Sequence, residues 1–225
     1  MKVVLFGASG MVGQGVLREC LIDSSVEQVL SIGRTRIGQH HPKLREILHE
    51  NFADFSPLER ELTGFSACFF CLGVSSAGMS EEAYRRITYD FTLAAARTLA
   101  NASPGLTFIY VSGTGTDSTE RGTVMWARVK GATENALRTI GFRAAYSFRP
   151  GYIQPLHGIK SRTGWVRALY AVVGPIYPWL KILVPRYLTT TEAMGRAMIK
   201  VAKNGWPSPV LETPDINAAA EGAVT

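Results

Sequence analysis

Residues 2–7, apolar from Val3 onward, form a run that ends in Gly7-Ala-Ser-Gly10-Met-Val-Gly13, after which apolar positions recur at helical spacing as far as about Asp23. The pattern predicts a strand, a glycine turn and a helix. Residues 26–33 read as a second strand and 50–55 as a third, closed by the turn-like Asp54-Phe-Ser-Pro57. Residues 67–73 are apolar at nearly every position, as a strand covered on both faces must be. A long helix is expected over about 80–102, because Tyr84, Ile87, Thr88, Phe91, Ala95 and Leu99 recur at helical spacing and Ser80 supplies a cap. Residues 106–112 form the fifth expected strand and 124–140 the next helix. A sixth strand at 143–148 runs into Arg149-Pro-Gly151.

Strands that alternate with helices of this length are joined by right-handed crossovers, so the fold class is α/β: a doubly wound parallel sheet of the Rossmann kind. With 225 residues the chain is expected to form one domain. Beyond Gly151 the pattern changes to aromatic-rich, proline-punctuated segments at 164–173 and 176–184 and a helix over about 190–204. Residues 152–225 are too few for an independent core, and are expected to form a small helical lobe on the substrate side.

Hydrophobic residues make up 46% of the chain and charged ones 19%, which excludes wholesale disorder and a disulfide-stapled miniature. The net charge of +6 suits an anionic cofactor, a nucleic acid or a membrane surface. The densest basic pieces, Arg34/Arg36 and Lys160/Arg162/Arg167, lack interleaved aromatic platforms and a reading helix, so nucleic acid is not an expected partner. Three cysteines and a start directly on a strand point to a reducing cytoplasm. Cys68 and Cys71 form a CxxC, but inside a strand their side chains face opposite ways, which argues against a redox pair. His40 and His41 have no acidic or cysteine partners at ligand spacing, so no metal is expected. The apolar stretch 165–184 is about the length of a bilayer span, yet Arg167, Pro175, Pro178 and Lys181 interrupt it. It could cap an apolar substrate pocket, meet a second copy in a homodimer, or lie on a membrane surface.

The GxxGxxG turn carries the first chemistry. Its first glycine permits the tight turn, the second lets a pyrophosphate approach the backbone of Ser9, Met11 and Val12, and the third allows the helix to pack closely. A carboxylate after the second strand would accept from ribose hydroxyls, whereas this chain has Arg34 in Ser31-Ile-Gly33-Arg34-Thr-Arg36. A cation there favours NADP(H) over NAD(H).

The turn, Asp54 after the third strand, Leu72-Gly73, Ser112, Lys130 and Arg149-Pro-Gly151 follow one another in an order that resembles an atypical short-chain dehydrogenase/reductase of the NAD-dependent epimerase/dehydratase group, most of all its Tat-interacting-protein-like branch. The resemblance covers roughly residues 2–152. It implies that Asp54, with Phe55 beside it, meets the adenine, that Leu72 and Gly73 line the adenosine, and that Lys130 holds the nicotinamide ribose. Pro150, Gly151 and Tyr152 would pass near the nicotinamide. The family's YxxxK is here Trp126-Ala-Arg-Val-Lys130, so the proton-transferring tyrosine is replaced by an indole, which donates a hydrogen bond but is no acid near neutral pH. Gly113 stands where many relatives carry a hydroxyl, leaving Ser112 or Thr114 to polarise a substrate oxygen and Tyr152 as another proton source; His157 reads as surface. Two functions remain open: reduction or oxidation of a small apolar carbonyl or alcohol, or a dinucleotide-binding regulatory protein.

Overall fold

The computed structural model describes residues 1–159 and 187–222. In chain order it contains β1 (Lys2–Phe6), α1 (Met11–Ile22), β2 (Gln28–Gly33), β3 (Leu44–Leu48), β4 (Ala67–Phe70) and α2 (Glu81–Arg85). A π-helical turn (Arg86–Asp90) carries α2 into α3 (Phe91–Ala102), followed by β5 (Thr107–Val111), α4 (Met125–Leu137) and β6 (Ala144–Arg149). The rest is β7 (Tyr152–Gln154), β8 (Leu188–Thr190), α5 (Thr191–Asn204), β9 (Val210–Glu212) and α6 (Thr213–Glu221). Seven strands form one parallel sheet in the order β3-β2-β1-β4-β5-β6-β9, and β7 pairs with β8 apart from it. This is the doubly wound α/β architecture that the alternation predicts.

The apolar strands divide their side chains between two cores. Val3 and Leu5 point into a layer closed by α1, α5 and α6, while Val4 and Phe6 point into a layer closed by α3 and α4. Period-2 alternation within an apolar run thus builds both layers from one strand. The same rule sends Cys68 to the second layer and Cys71 to the first. All three cysteines are free thiols, and burial pushes each thiol up. Ser80 caps α2 as expected, its Oγ accepting from the Ala83 N–H at 3.2 Å.

The third strand lies at Leu44–Leu48 and not at 50–55. Residues 50–55 turn instead: the Phe52 N–H donates to Glu50 O and the Asp54 N–H to Asn51 O. The side chains of Asn51 and Asp54 accept from the N–H groups of Ala53 and Ser56, offering the backbone a local alternative to a ladder. Phe52 and Phe55 are buried from within this turn. Of the tail, β9 extends the main sheet beside β6, and α5 and α6 pack in the α1 layer. The aromatic-rich stretch 165–184 lies outside the described residues. Among the described residues, no helix is long and apolar enough to cross a membrane.

Candidate functional site

The sheet order reverses between β1 and β4, and in such sheets the crevice at the carboxyl ends of the strands on either side of that point is where a ligand fits. There the β1–α1 turn begins at Gly7, whose φ of 77° is in the left-handed region. A Cβ on Gly7 would stand 2.7 Å from the backbone of Cys71 and Leu72, so the turn lies against the end of β4. A Cβ on Gly13 would stand 2.0 Å from Gly7 O, so the third glycine lets α1 close onto the turn. Gly10 differs from both. Its backbone is extended, and a Cβ there would meet only Gly7 O, at 3.3 Å. It is the N-cap of α1 and provides no side-chain cap to the first-turn N–H groups of Met11, Val12 and Gly13. The first hydrogen bond of the helix runs from the Gln14 N–H to Gly10 O.

Beside the turn is a cavity of about 240 Å³ lined by Gly7, Ser9, Ser31, Arg34, Phe52 and Leu72 among others. The Arg34 guanidinium stands 5.8 Å from the centre of the Phe52 ring. The sequence does not mark Phe52 as a wall residue, because the stretch around it reads as a strand. Phe55 lies beneath, edge-on to Phe6 at 5.5 Å. Asp54 is exposed and does not line the cavity; the Ser56 N–H, donating at 2.9 Å, holds its carboxyl below the usual range. Gly73 is open, with nothing near a Cβ built there.

At the ends of β5 and β6 the hydroxyls are already engaged. Thr116 Oγ1 donates to Gly113 O at 2.7 Å, so the 3.0 Å bond between Ser112 and Thr116 is donated by Ser112. Thr114 Oγ1 donates to Arg149 O at 2.9 Å, and the Thr114 N–H to Pro150 O at 3.0 Å. The phenol of Tyr152 donates to Gln154 Oε1 at 2.9 Å. Gly151 is pinned between the Thr213 hydroxyl, 2.9 Å from its N–H, and the Tyr187 carbonyl, which a Cβ would approach to 2.6 Å. His157 pairs with Glu192 at 2.7 Å, away from these groups.

Trp126 and Lys130 are one turn apart on α4. The half-buried indole lies over the glycine loop, 3.6 Å from where a Cβ on Gly115 would be and 4.0 Å from one on Gly113. The Lys130 ammonium donates to Val111 O at 3.2 Å and stands 3.5 Å from the Tyr110 hydroxyl. Burial holds its pKa down to about 8, against the upward pull of Glu134. Because the unfolded chain keeps its lysine proton up to the ordinary value of 10.5, this group makes stability rise with pH between about 8 and 10.5. Tyr110 is sealed in the core, where burial pushes its phenol well up, so it is no substitute for the missing tyrosine. Below Lys130, the fully buried Glu134 accepts two bonds from Arg149, at 3.0 and 2.6 Å. The signal that could have found this pair is an acid one turn beyond the motif lysine and an arginine directly before Pro150.

No protein-family profile matches the chain. Protein HTATIP2 of Rattus norvegicus is 27% identical over 155 residues, covering 68% of this chain and 62% of that protein. A mitochondrial fmp52 protein of Emericella nidulans is 25% identical over 159 residues, covering 68% of this chain and 66% of that one. The matched region thus spans slightly less than two thirds of the length of these relatives. Among solved structures, a short chain dehydrogenase family protein from Francisella tularensis superposes with a TM-score of 0.67 at 13% identity, covering 94% of this chain and 95% of that one. The Bordetella bronchiseptica enzyme WbmG, solved in complex with NAD, gives 0.68 at 12% identity, covering 99% and 78%. These structural likenesses bear on the fold, and the sequence relatives are similar over about two thirds of the chain. The chain thus has the fold of the short chain dehydrogenase protein and is similar in sequence to HTATIP2 and fmp52, the likeness that its motifs led one to expect.

Proposed function

We propose that this protein is an NADP(H)-dependent oxidoreductase acting on a small, apolar carbonyl compound or alcohol. The observation that carries the reading is Gly10. Its backbone angles suit any residue and its one close neighbour, Gly7 O at 3.3 Å, asks for only a small shift, while the room left by its missing side chain opens onto uncapped N–H groups at a helix start. That is the arrangement a pyrophosphate needs. In this reading Ser9, Met11 and Val12 hold the pyrophosphate through their backbone, Arg34 takes the 2′-phosphate, and Phe52 and Leu72, with Gly73 next to it, line the adenosine, whereas Asp54 and Phe55 stand outside the cavity. Lys130 holds the nicotinamide ribose, with Pro150 and Gly151 beside the ring. The bound dinucleotide supplies or accepts hydride. Ser112, Thr114 or Tyr152 reaches a substrate oxygen only by turning its hydroxyl away from its present partner.

The cofactor preference is tested at Arg34. NADPH is expected to bind more tightly than NADH, and Arg34→Asp to weaken NADPH by the ~1.5–3 kcal/mol of a charge-assisted contact while leaving NADH nearly unchanged. Calorimetry that returns equal affinities for the two cofactors on the unmutated protein overturns the preference. The reading places the protein in the cytosol; the mitochondrial designation of the Emericella nidulans protein is that relative's own. Cell fractionation decides between the two compartments.

A further inference from the structure

Lys130 is one member of a run of alternating charges that passes beneath the site. Its amine stands over the ring of Tyr110, with Nζ 5.1 Å from the centroid. The next turn of α4 carries Glu134, whose side chain has no solvent exposure at all. Both carboxylate oxygens of Glu134 accept from Arg149, on β6, which also donates to Ser118 Oγ at 2.6 Å and stands 3.6 Å from the Glu212 carboxylate. Among the described residues, the titratable groups facing the amine are Tyr110 from β5, with Tyr84 from α2 behind it, and Glu134 from α4 itself; Arg149 and Glu212 follow through Glu134.

A carboxylate this deeply buried is costly unless it is paired, and Arg149 meets that need with a bidentate contact. The pairing is more than a structural neutralisation, because a lysine shut between a strand and a helix tends to lose its proton. Among the described residues, Glu134 is the charged side chain that pulls the other way. We propose that Glu134 is a positioning residue: held by Arg149, it keeps the neighbouring Lys130 amine protonated and in place to hold the cofactor ribose. The proposal rests on the reading that Lys130 faces that ribose. Arg149 directly precedes Pro150 and Gly151, so the same ion pair also ties the lysine-bearing helix to the turn beside the nicotinamide.

The test reads the proton on Lys130 directly. Competitive labelling of the amines with acetic anhydride between pH 6 and 11, followed by peptide mass spectrometry, gives the midpoint at which Lys130 becomes reactive. In the unmutated protein it is expected near 8. Glu134→Gln keeps the shape and a hydrogen-bond acceptor for Arg149 but removes the charge, and is expected to lower the midpoint by about one unit or more. Labelling at pH 7.5 then rises roughly threefold. Should that variant not fold, Glu134→Gln with Arg149→Met removes both charges together, the change that buried ion pairs tolerate best, and is expected to lower the midpoint likewise. A midpoint that stays where it was in the folded variant overturns the proposal.

NADP⁺ affinity supplies the second readout. The variant is expected to bind several-fold more weakly at pH 8 and to recover at pH 6, where Lys130 regains its proton; a loss that persists at pH 6 marks a merely structural role and also overturns the proposal. Failure of the underlying reading looks different. If saturating NADP⁺ leaves Lys130 labelling unprotected in the unmutated protein, Lys130 does not face the ribose, whatever the midpoint does.

Discussion

Gly10→Val is expected to abolish dinucleotide binding while leaving the fold intact, and Gly13→Ala, only one turn further on, to do the opposite first: unfold the protein. The two glycines look equivalent in a GxxGxxG motif and differ in what surrounds them. At Gly13 the first atom of any side chain would lie 2.0 Å from Gly7 O and 2.9 Å from Ala8 Cα. Both are backbone atoms, so α1 must move off the sheet, and overpacking that the backbone has to absorb costs about 3 kcal/mol or more. A urea melt should show that loss directly, as a lower midpoint at an unchanged slope. At Gly10 the φ of −80° suits any residue, and the single close atom, Gly7 O at 3.3 Å, asks for a shift of a few tenths of an ångström. The branches of valine instead fill the space in front of the Met11 and Val12 N–H groups, where a pyrophosphate oxygen has to come within hydrogen-bond distance. Calorimetry with NADPH, beside circular dichroism and a urea melt on the same samples, reads both effects. Binding retained in a folded Gly10→Val protein would show the turn to be purely structural and would remove the main support for a dinucleotide at this end of the sheet.

The same contrast explains how much of the molecule was legible beforehand. Strands β1, β2, β4, β5 and β6 could be read because central parallel strands are apolar on both faces and leave unbroken runs in the sequence. β3 could not, because an edge strand needs only one covered face: Leu44-Arg-Glu-Ile-Leu48 mixes charged and apolar residues. The eye goes instead to Phe52 and Phe55, whose burial is delivered by a turn. β9 has only three residues, too few to show a period, and is defined by its partner β6 rather than by its own sequence. At the site, the glycine turn and Lys130 announce themselves locally. What the hydroxyls do does not. Thr114 is engaged by Arg149 O, a strand away in space and 35 positions away in sequence, and the Glu134–Arg149 pair joins a helix to a strand in the same non-local way.

Trp126→Tyr combined with Gly113→Ser is expected to raise NADPH-dependent reduction of a panel of small aldehydes and ketones by up to the ~10²–10⁴-fold that positioned acid–base catalysis supplies. The two substitutions belong together on physical grounds. A phenol at position 126 is one helical turn from Lys130 on the same face, where the ammonium favours the phenolate and so lets the hydroxyl exchange its proton at moderate pH. The indole now at that position leans over the glycine loop, its Cζ3 4.0 Å from where a Cβ on Gly113 would stand. A serine at 113 therefore enters at ordinary contact distance, and gains room when the two-ring side chain gives way to one. Ser112 offers no such group, since its hydrogen is already directed at Thr116 in a buried contact. Trp126→Tyr alone should give the smaller rise, because removing the larger ring leaves a gap and still provides nothing to polarise the carbonyl. The outcome that defeats this account is specific: an unmutated protein that already turns over one of these substrates well, and a double variant that slows it. The proton would then come from another group, and Tyr152 freed from Gln154 is the first to examine, with Tyr152→Phe as the measurement.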